Sequence, residues 1–143
     1  MIRAPRRSLV LDANILIRAV LGKRVRNLIY EYADSAHFFT PTICVADASK
    51  YLPEILNARG IDTTPVMTVF TLLMQYVQVL EDEWLMEYEV VAKARMRRRD
   101  LDDWPVLAAA LALRCPVWTQ DADFFGVGIA TWTTEHVASY FAC

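Results

Sequence analysis

Histidine is almost missing from this chain: His37 and His136 are the only two in 143 residues, and neither lies near Asp12, Asp47, Asp103, Asp121 or Asp123 in sequence. That scarcity argues against a zinc centre built on imidazole. Cysteine is nearly as rare. Cys44, Cys115 and Cys143 are an odd number at wide spacings with no C-x-x-C pair, which speaks against a disulfide framework and for free thiols in a reducing cytoplasm. No apolar run approaches the roughly 18 residues that a membrane span requires. The most apolar stretch, residues 9–21, is interrupted by Asp12, Asn14 and Arg18 and lacks a following small-residue cleavage pattern, unlike a secretory signal. Charge of one sign is not in excess either. A net charge of −2 with 22% charged residues excludes both a disordered acidic chain and a uniformly basic nucleic-acid coat. Internal repeats, linkers and low-complexity segments are also absent.

What the chain does have is apolar substance. It is 55% hydrophobic and 11% aromatic, ample for one buried core and one domain over residues 1–143. Charge is uneven locally. Arg3, Arg6, Arg7, Arg18, Lys23, Arg24 and Arg26 surround the single acid Asp12, and Lys93, Arg95, Arg97, Arg98 and Arg99 directly precede Asp100, Asp102 and Asp103. Such a juxtaposition could hold a phosphate beside a metal.

Hydrophobic periodicity predicts a strand over 8–11, a helix from Asn14 and a second helix over 27–36. A short aromatic strand over 37–40 follows, then a helix over 43–58 closed by Gly60. Further on, the pattern predicts a helix over 65–76, a strand over 77–80, a charged helix over 83–97 and an alanine-rich helix over 103–113. Strands over 116–119 and 129–132 precede a last helix over 133–141, capped by Thr133 or Thr134. Strands alternating with helices over the whole length predict an α/β protein. Its architecture is a three-layer α/β/α sandwich with a doubly wound parallel sheet, whose ligand site lies at the carboxyl ends of the strands near the switch in strand order.

Acids stand at those ends. L-V-L-D stops at Asp12, F-F-T-P-T-I-C-V-A-D runs to Asp47, V-W-T-Q-D-A-D leads to Asp121 and Asp123, and Asp103 opens the helix before that last strand. Each acid alone is equally at home as a helix cap or turn residue. Together, converging with no Lys or Arg between them, they would repel strongly unless a divalent cation neutralised them. An oxygen-only site suits Mg²⁺ or Mn²⁺, and cations held in this way serve phosphoryl transfer.

Three segments, L-V-L-D-A-N-I-L at 9–16, D-W-P-V-L-A-A-A-L-A at 103–112 and V-W-T-Q-D-A-D-F-F at 117–125, resemble the three acidic blocks of PIN domains, in that family's order. The resemblance implies a PIN-like doubly wound sheet and a metal-dependent endoribonuclease. Asp12, Asp103 and Asp121 would be metal ligands with catalytic roles, Asp123 an additional ligand, and Asn14 and Thr119 polar residues that orient those carboxylates. The chain departs from the family at the second acid, where a Glu is usual and Asp47 fits best. Glu54, about two turns further on, competes for that role.

Arg97, Arg98 and Arg99 are candidates for phosphate contact because of their closeness to Asp103 in sequence, and Trp104 is a candidate for base stacking. The resemblance also extends to the toxin half of bacterial toxin–antitoxin pairs. It therefore implies an RNA substrate and a small antitoxin that covers the acidic site; a homodimer is a candidate assembly. The alternatives are a non-catalytic RNA-binding module with a degenerate site, and a nuclease acting on DNA or junctions. The shortness of the chain, with no insertion able to clamp a duplex, argues against the latter.

Overall fold

The computed structural model describes residues 7–142; Arg3, Arg6 and Cys143 lie outside them. Five strands form one parallel sheet in the order β3-β2-β1-β4-β5. They are β1 (Arg7–Leu11), β2 (Ala36–Pro41), β3 (Val77–Leu80), β4 (Val117–Trp118) and β5 (Thr131–Trp132). In β1, Leu9, Val10 and Leu11 are fully buried, the unbroken apolar run expected of a strand covered on both faces. It pairs Leu9 with Phe38 on one side and Leu11 with Trp118 on the other.

The chain first moves outward one way, through α1 (Ala13–Leu21) and α2 (Arg24–Glu31) to β2, and then through α3 (Thr42–Ala58) and α4 (Thr63–Leu73) to β3. It then crosses back over α5 (Glu89–Met96) and α6 (Trp104–Leu113) to reach β4 on the far side of β1, continues to β5, and ends in α7 (Val137–Ala142). Right-handed crossovers in opposite directions place the two helix groups on opposite faces. Accordingly α1 packs against α2, α3 and α4, whereas α5 packs on α6 and α6 lies across β1, β2 and β4. Residues Pro105–Ala110 of α6 are buried all round, which suits a helix sunk between the sheet and α5. No described helix is long and apolar enough to cross a membrane.

Three segments differ from the periodicity. The last helix begins at Val137 rather than at 133, because residues 134–136 form a turn closed by the His136 and Val137 N–H groups donating to the Thr133 carbonyl. The second helix runs over Arg24–Glu31 rather than 27–36, because Ala36 already pairs with Arg7 in the sheet and the turn before it is closed by Ser35 N–H donating to the Tyr32 carbonyl. Residues 83–97 do not form one helix. Two single 3₁₀ turns, Asp82–Trp84 and Met86–Tyr88, precede α5, and no side chain at Glu81, Leu85 or Tyr88 caps a helix start. The tight turns drive Leu85 into the core and leave Trp84 and Met86 outside.

The last helix is tied to the first strand. Tyr140 Oη donates to the Ser8 carbonyl at 2.8 Å. Tyr140→Phe is expected to lower the unfolding free energy by about 1 kcal/mol in a denaturant titration; no change would mean that water replaces the bond without loss.

Candidate active site

Strand order reverses between β1 and β4, and the chain leaving each of them supplies an element of the site. Asp12 sits between β1 and α1 with an extended backbone, and its two carboxylate oxygens do different things. Oδ1 caps α1 by accepting from the Ile15 amide at 2.9 Å. Oδ2 accepts from the Thr119 hydroxyl. Thr119, fully buried just after β4, also accepts from the Asp121 amide at 2.9 Å. One threonine therefore ties the backbone of Asp121 to the carboxylate of Asp12. Asp121 in turn accepts on Oδ1 from the Asp123 amide at 2.9 Å. On the other side of β1, Thr40 donates to the Leu11 carbonyl at 2.8 Å, which locks the end of β2 beside that of β1 and sets where α3 begins.

These ends converge. Asp12, Asp47, Asp103 and Asp121 line one cleft of about 40 Å³, with Asp102, Asn14 and Cys44 also in its wall. That volume holds a few ions or waters and no organic cofactor. No Lys or Arg lines it. Asp103 is half-buried and, although it sits at the N-cap position of α6, makes no side-chain capping bond. Its carboxyl is therefore not used by the helix. Burial, then the neighbouring Asp100, Asp121 and Asp12, push its pKa up to about 7. For Asp12, burial raises the pKa to about 6, against the opposing hydrogen bonds from Thr119 and Ile15 and with a further push from Asp121. Such crowding is the condition a hard divalent cation relieves, and the all-oxygen carboxylate set matches Mg²⁺ or Mn²⁺ chemistry.

Asp123 reaches the cluster from outside: single carboxylate oxygens of Asp100, Asp103 and Asp123 lie within 4.8 Å of one another. The sequence reading does not single out Asp100, Asp102 or Cys44 as parts of the site, although Asp102 and Cys44 line the small cleft. Asp100 could have been noticed from its spacing three residues before Asp103, since a 3₁₀ turn over Leu101–Asp103 brings the two together. Glu54 is exposed on α3; it neither lines the cleft nor forms an ion pair among the described residues.

The basic run before Asp103 is used differently from its expected role. Arg99 donates to the Ala122 carbonyl at 3.3 Å, and Arg95 to the carbonyls of Val127 and Gly128 at 3.4 Å each. Both thus hold the backbone of the loop that carries Asp121 and Asp123. Gly128, at φ 84, admits this approach, since a Cβ there would meet the Arg95 guanidinium at 3.0 Å. Arg97 and Arg98 are exposed and do not line the cleft. Trp104 is half-buried beside Asp103 under the Lys93 ammonium, 5.1 Å from its ring centre. It lines a wider cleft of about 630 Å³ that shares Asp47, Asp102 and Asp103 with the small one. Trp118 is core, with its indole N–H donating to Thr134.

The profile of the PIN-domain family matches residues 10–142. No curated protein matches the sequence. Among solved structures, the chain is similar to PAE2754 from Pyrobaculum aerophilum, at TM-score 0.73 and 18% identity over 95% of this chain and 90% of that one. It is similar to VapBC2 from Rickettsia felis, bound to a DNA fragment from its promoter, at TM-score 0.70 and 10% identity over 88% and 98%. A toxin–antitoxin complex from Klebsiella pneumoniae aligns at TM-score 0.62 and 16% identity over 88% and 97%. At these identities the structural likenesses concern the fold.

Proposed function

Since the chain belongs to the PIN-domain family, whose members are in general nucleases, we propose that it is a metal-dependent endoribonuclease that hydrolyses RNA phosphodiester bonds. The observation that carries this reading is the meeting of Asp12, Asp47, Asp103 and Asp121 in one small cleft without a Lys or Arg. Asp12, Asp103 and Asp121 would hold Mg²⁺ or Mn²⁺, with Asp47 closing the α3 side and Asp123 joining through its approach to Asp103. When bound, the cation would activate water, orient the phosphate and stabilise the leaving oxygen.

The chain's own part is orientation. The Ile15 amide and the Thr119 hydroxyl fix both oxygens of Asp12, and the Asp123 amide fixes Asp121, so the carboxylates need little rearrangement to receive an ion. Asp47 replaces the family's usual Glu with a side chain one methylene shorter, yet it still reaches the cleft wall, which favours a working site over a degenerate one. The test is cleavage of single-stranded RNA with Mg²⁺ or Mn²⁺ and its loss in chelator. Intact RNA under every metal condition would favour the non-catalytic RNA-binding module.

We further infer that the protein is the toxin of a toxin–antitoxin pair, as the similar VapBC2 and Klebsiella pneumoniae structures support. A small antitoxin would act by covering the acid cleft.

Thr119 gives a smaller, separable prediction. Thr119→Val removes the donor to Asp12 and the acceptor for the Asp121 amide, and is expected to weaken Mn²⁺ binding by about 10–100-fold; Thr119→Ser should restore most of it. Calorimetric titration with Mn²⁺ reads both, and equal affinity in the valine variant would remove Thr119 from the site.

A further inference from the structure

The acid cleft has flanks of opposite charge. On the α1–α2 side lies a groove of about 680 Å³ whose walls include Arg18, Lys23, Arg24 and Arg59. These come from the last turn of α1, the turn into α2, the first residue of α2 and the residue after α3. All four are exposed, and none takes part in an ion pair among the described residues. The one carboxylate in the walls is Glu135, within electrostatic range of Arg24 and accepting from Gln120 at 3.4 Å. Four cations against one acid is a strong segregation in a chain of net charge −2.

The groove is continuous with the site. Asn14 lines both, and Gln120, in the groove wall, directly precedes Asp121. On the opposite flank, the wider cleft around Trp104 adds Asp82, Glu89 and Asp100 to Asp47, Asp102 and Asp103, with no Lys or Arg in its walls. A phosphodiester backbone is repelled along that flank and attracted along the other. The groove floor is aliphatic, with Ile17, Leu21, Val25 and Ile55, and no aromatic side chain lines it. It offers phosphates a partner and bases no stacking platform. A concavity also favours a flexible single strand over a duplex, whose persistence length is about 150 base pairs.

We propose that single-stranded RNA leaves the acid cleft along this groove, its phosphates on Arg18, Lys23, Arg24 and Arg59, with little discrimination among bases. The inference rests on reading the acid cleft as a phosphodiester site. It moves the phosphate contacts from Arg97–Arg99, which neighbour Asp103 in sequence, to residues that neighbour the cleft in space.

The test is fluorescence anisotropy of labelled oligouridylate and oligoadenylate with the full chain in chelator, so that binding is read without cleavage. Four phosphate contacts on a single strand give a logarithmic salt slope of about −2.8, or roughly a fifty-fold loss of affinity between 50 and 200 mM salt. Both oligonucleotides should show it. R18Q/K23Q/R24Q/R59Q should flatten the slope and weaken low-salt binding at least about tenfold, with R18Q/R59Q and K23Q/R24Q each giving part of the effect, and R97Q/R98Q leaving the slope unchanged.

The proposal is overturned by any of three results: no binding by the parent at low salt, unchanged binding in folded groove variants, or displacement of RNA by an oligoglutamate peptide as readily as by unlabelled RNA. The last would make the groove a protein-docking surface. Cleavage with Mn²⁺ separates the two readings. A parent that cuts RNA with a KM the groove variants leave unchanged refutes the groove alone. A parent that binds through the groove and never cuts refutes the nuclease alone.

Discussion

Asp103→Asn is expected to lower metal-dependent RNA cleavage by more than about a hundredfold while the protein stays folded. Partners that merely orient a metal ligand are worth about 10–100-fold, and Asp103 stands closer to the chemistry than that. Its carboxylate lies within 4.8 Å of Asp100 and Asp123 and within interaction range of Asp12 and Asp121. It also has no structural employment: α6 starts with Pro105 in its first turn and takes no capping bond from Asp103. Asparagine keeps the shape and removes the charge that would hold a cation. Single-turnover cleavage at fixed Mn²⁺ reads the effect, with Glu54→Gln, on the exposed side of α3, expected to cut at the parental rate. Equal rates for Asp103→Asn and the parent would take Asp103 out of the site.

The second large effect is on stability and has the opposite sign from that of an ordinary buried polar residue. In chelator, Asp12→Asn is expected to raise the unfolding free energy at pH 7 by about 1–2 kcal/mol, or roughly 3–6 °C in Tm. Asp12 is 5% exposed, and its folded-state pKa of about 6 lies above the ordinary 3.8. Asparagine can still cap Ile15 through its single oxygen, and removal of the buried charge outweighs the acceptor that the Thr119 hydroxyl loses when an amide N–H replaces Oδ2. The pH dependence follows from the same shifts. Asp12 and Asp103 bind protons more readily folded than unfolded, so their contribution grows as pH falls through their folded values of about 6 and about 7 and is complete near the unfolded value. It is lost as pH rises again.

Metal-free parent should therefore become more stable from pH 7 down to about pH 4, below which other carboxylates reverse the trend. Asp12→Asn should show a weaker gain. Mg²⁺ at a hundred times its Kd should stabilise the parent by about 2.7 kcal/mol and the variant by less. If Asp12→Asn and Asp103→Asn both melt well below the parent in chelator and Mg²⁺ moves neither, the aspartates are structural and the nuclease reading falls.

The carboxylates were legible because period and chemistry change together. At Asp12 an alternation-free apolar run gives way to helical spacing, so the acid has to sit at a strand end, and the same reasoning carried Asp121 and Asp103 to the sheet edge. For Asp12, capping does not use up the carboxylate, since it has two oxygens and the helix takes one, the other accepting from Thr119. What was not legible depends on contacts between distant segments. Arg99 precedes Asp103 by one turn, yet it is spent on the Ala122 carbonyl. Arg24 opens α2 and Arg59 follows α3, and only the packing of α1 with α2 and α3 lets them face one groove. The break in residues 83–97 was hidden for a related reason: Leu85, Tyr88, Ala92 and Met96 keep a helical spacing whether or not the backbone between them is α-helical.

The double use of Asp12 also bears on how such a chain can change over generations. An Asn in its place would keep the start of α1 and relieve the buried charge, so on the proposed nuclease reading a single substitution would silence the site and, by the expectation above, leave the protein sturdier. Selection for stability alone would drift toward that silent form. A lineage that keeps Asp12, Asp103 and Asp121 together against this slope is one in which the acids are in use.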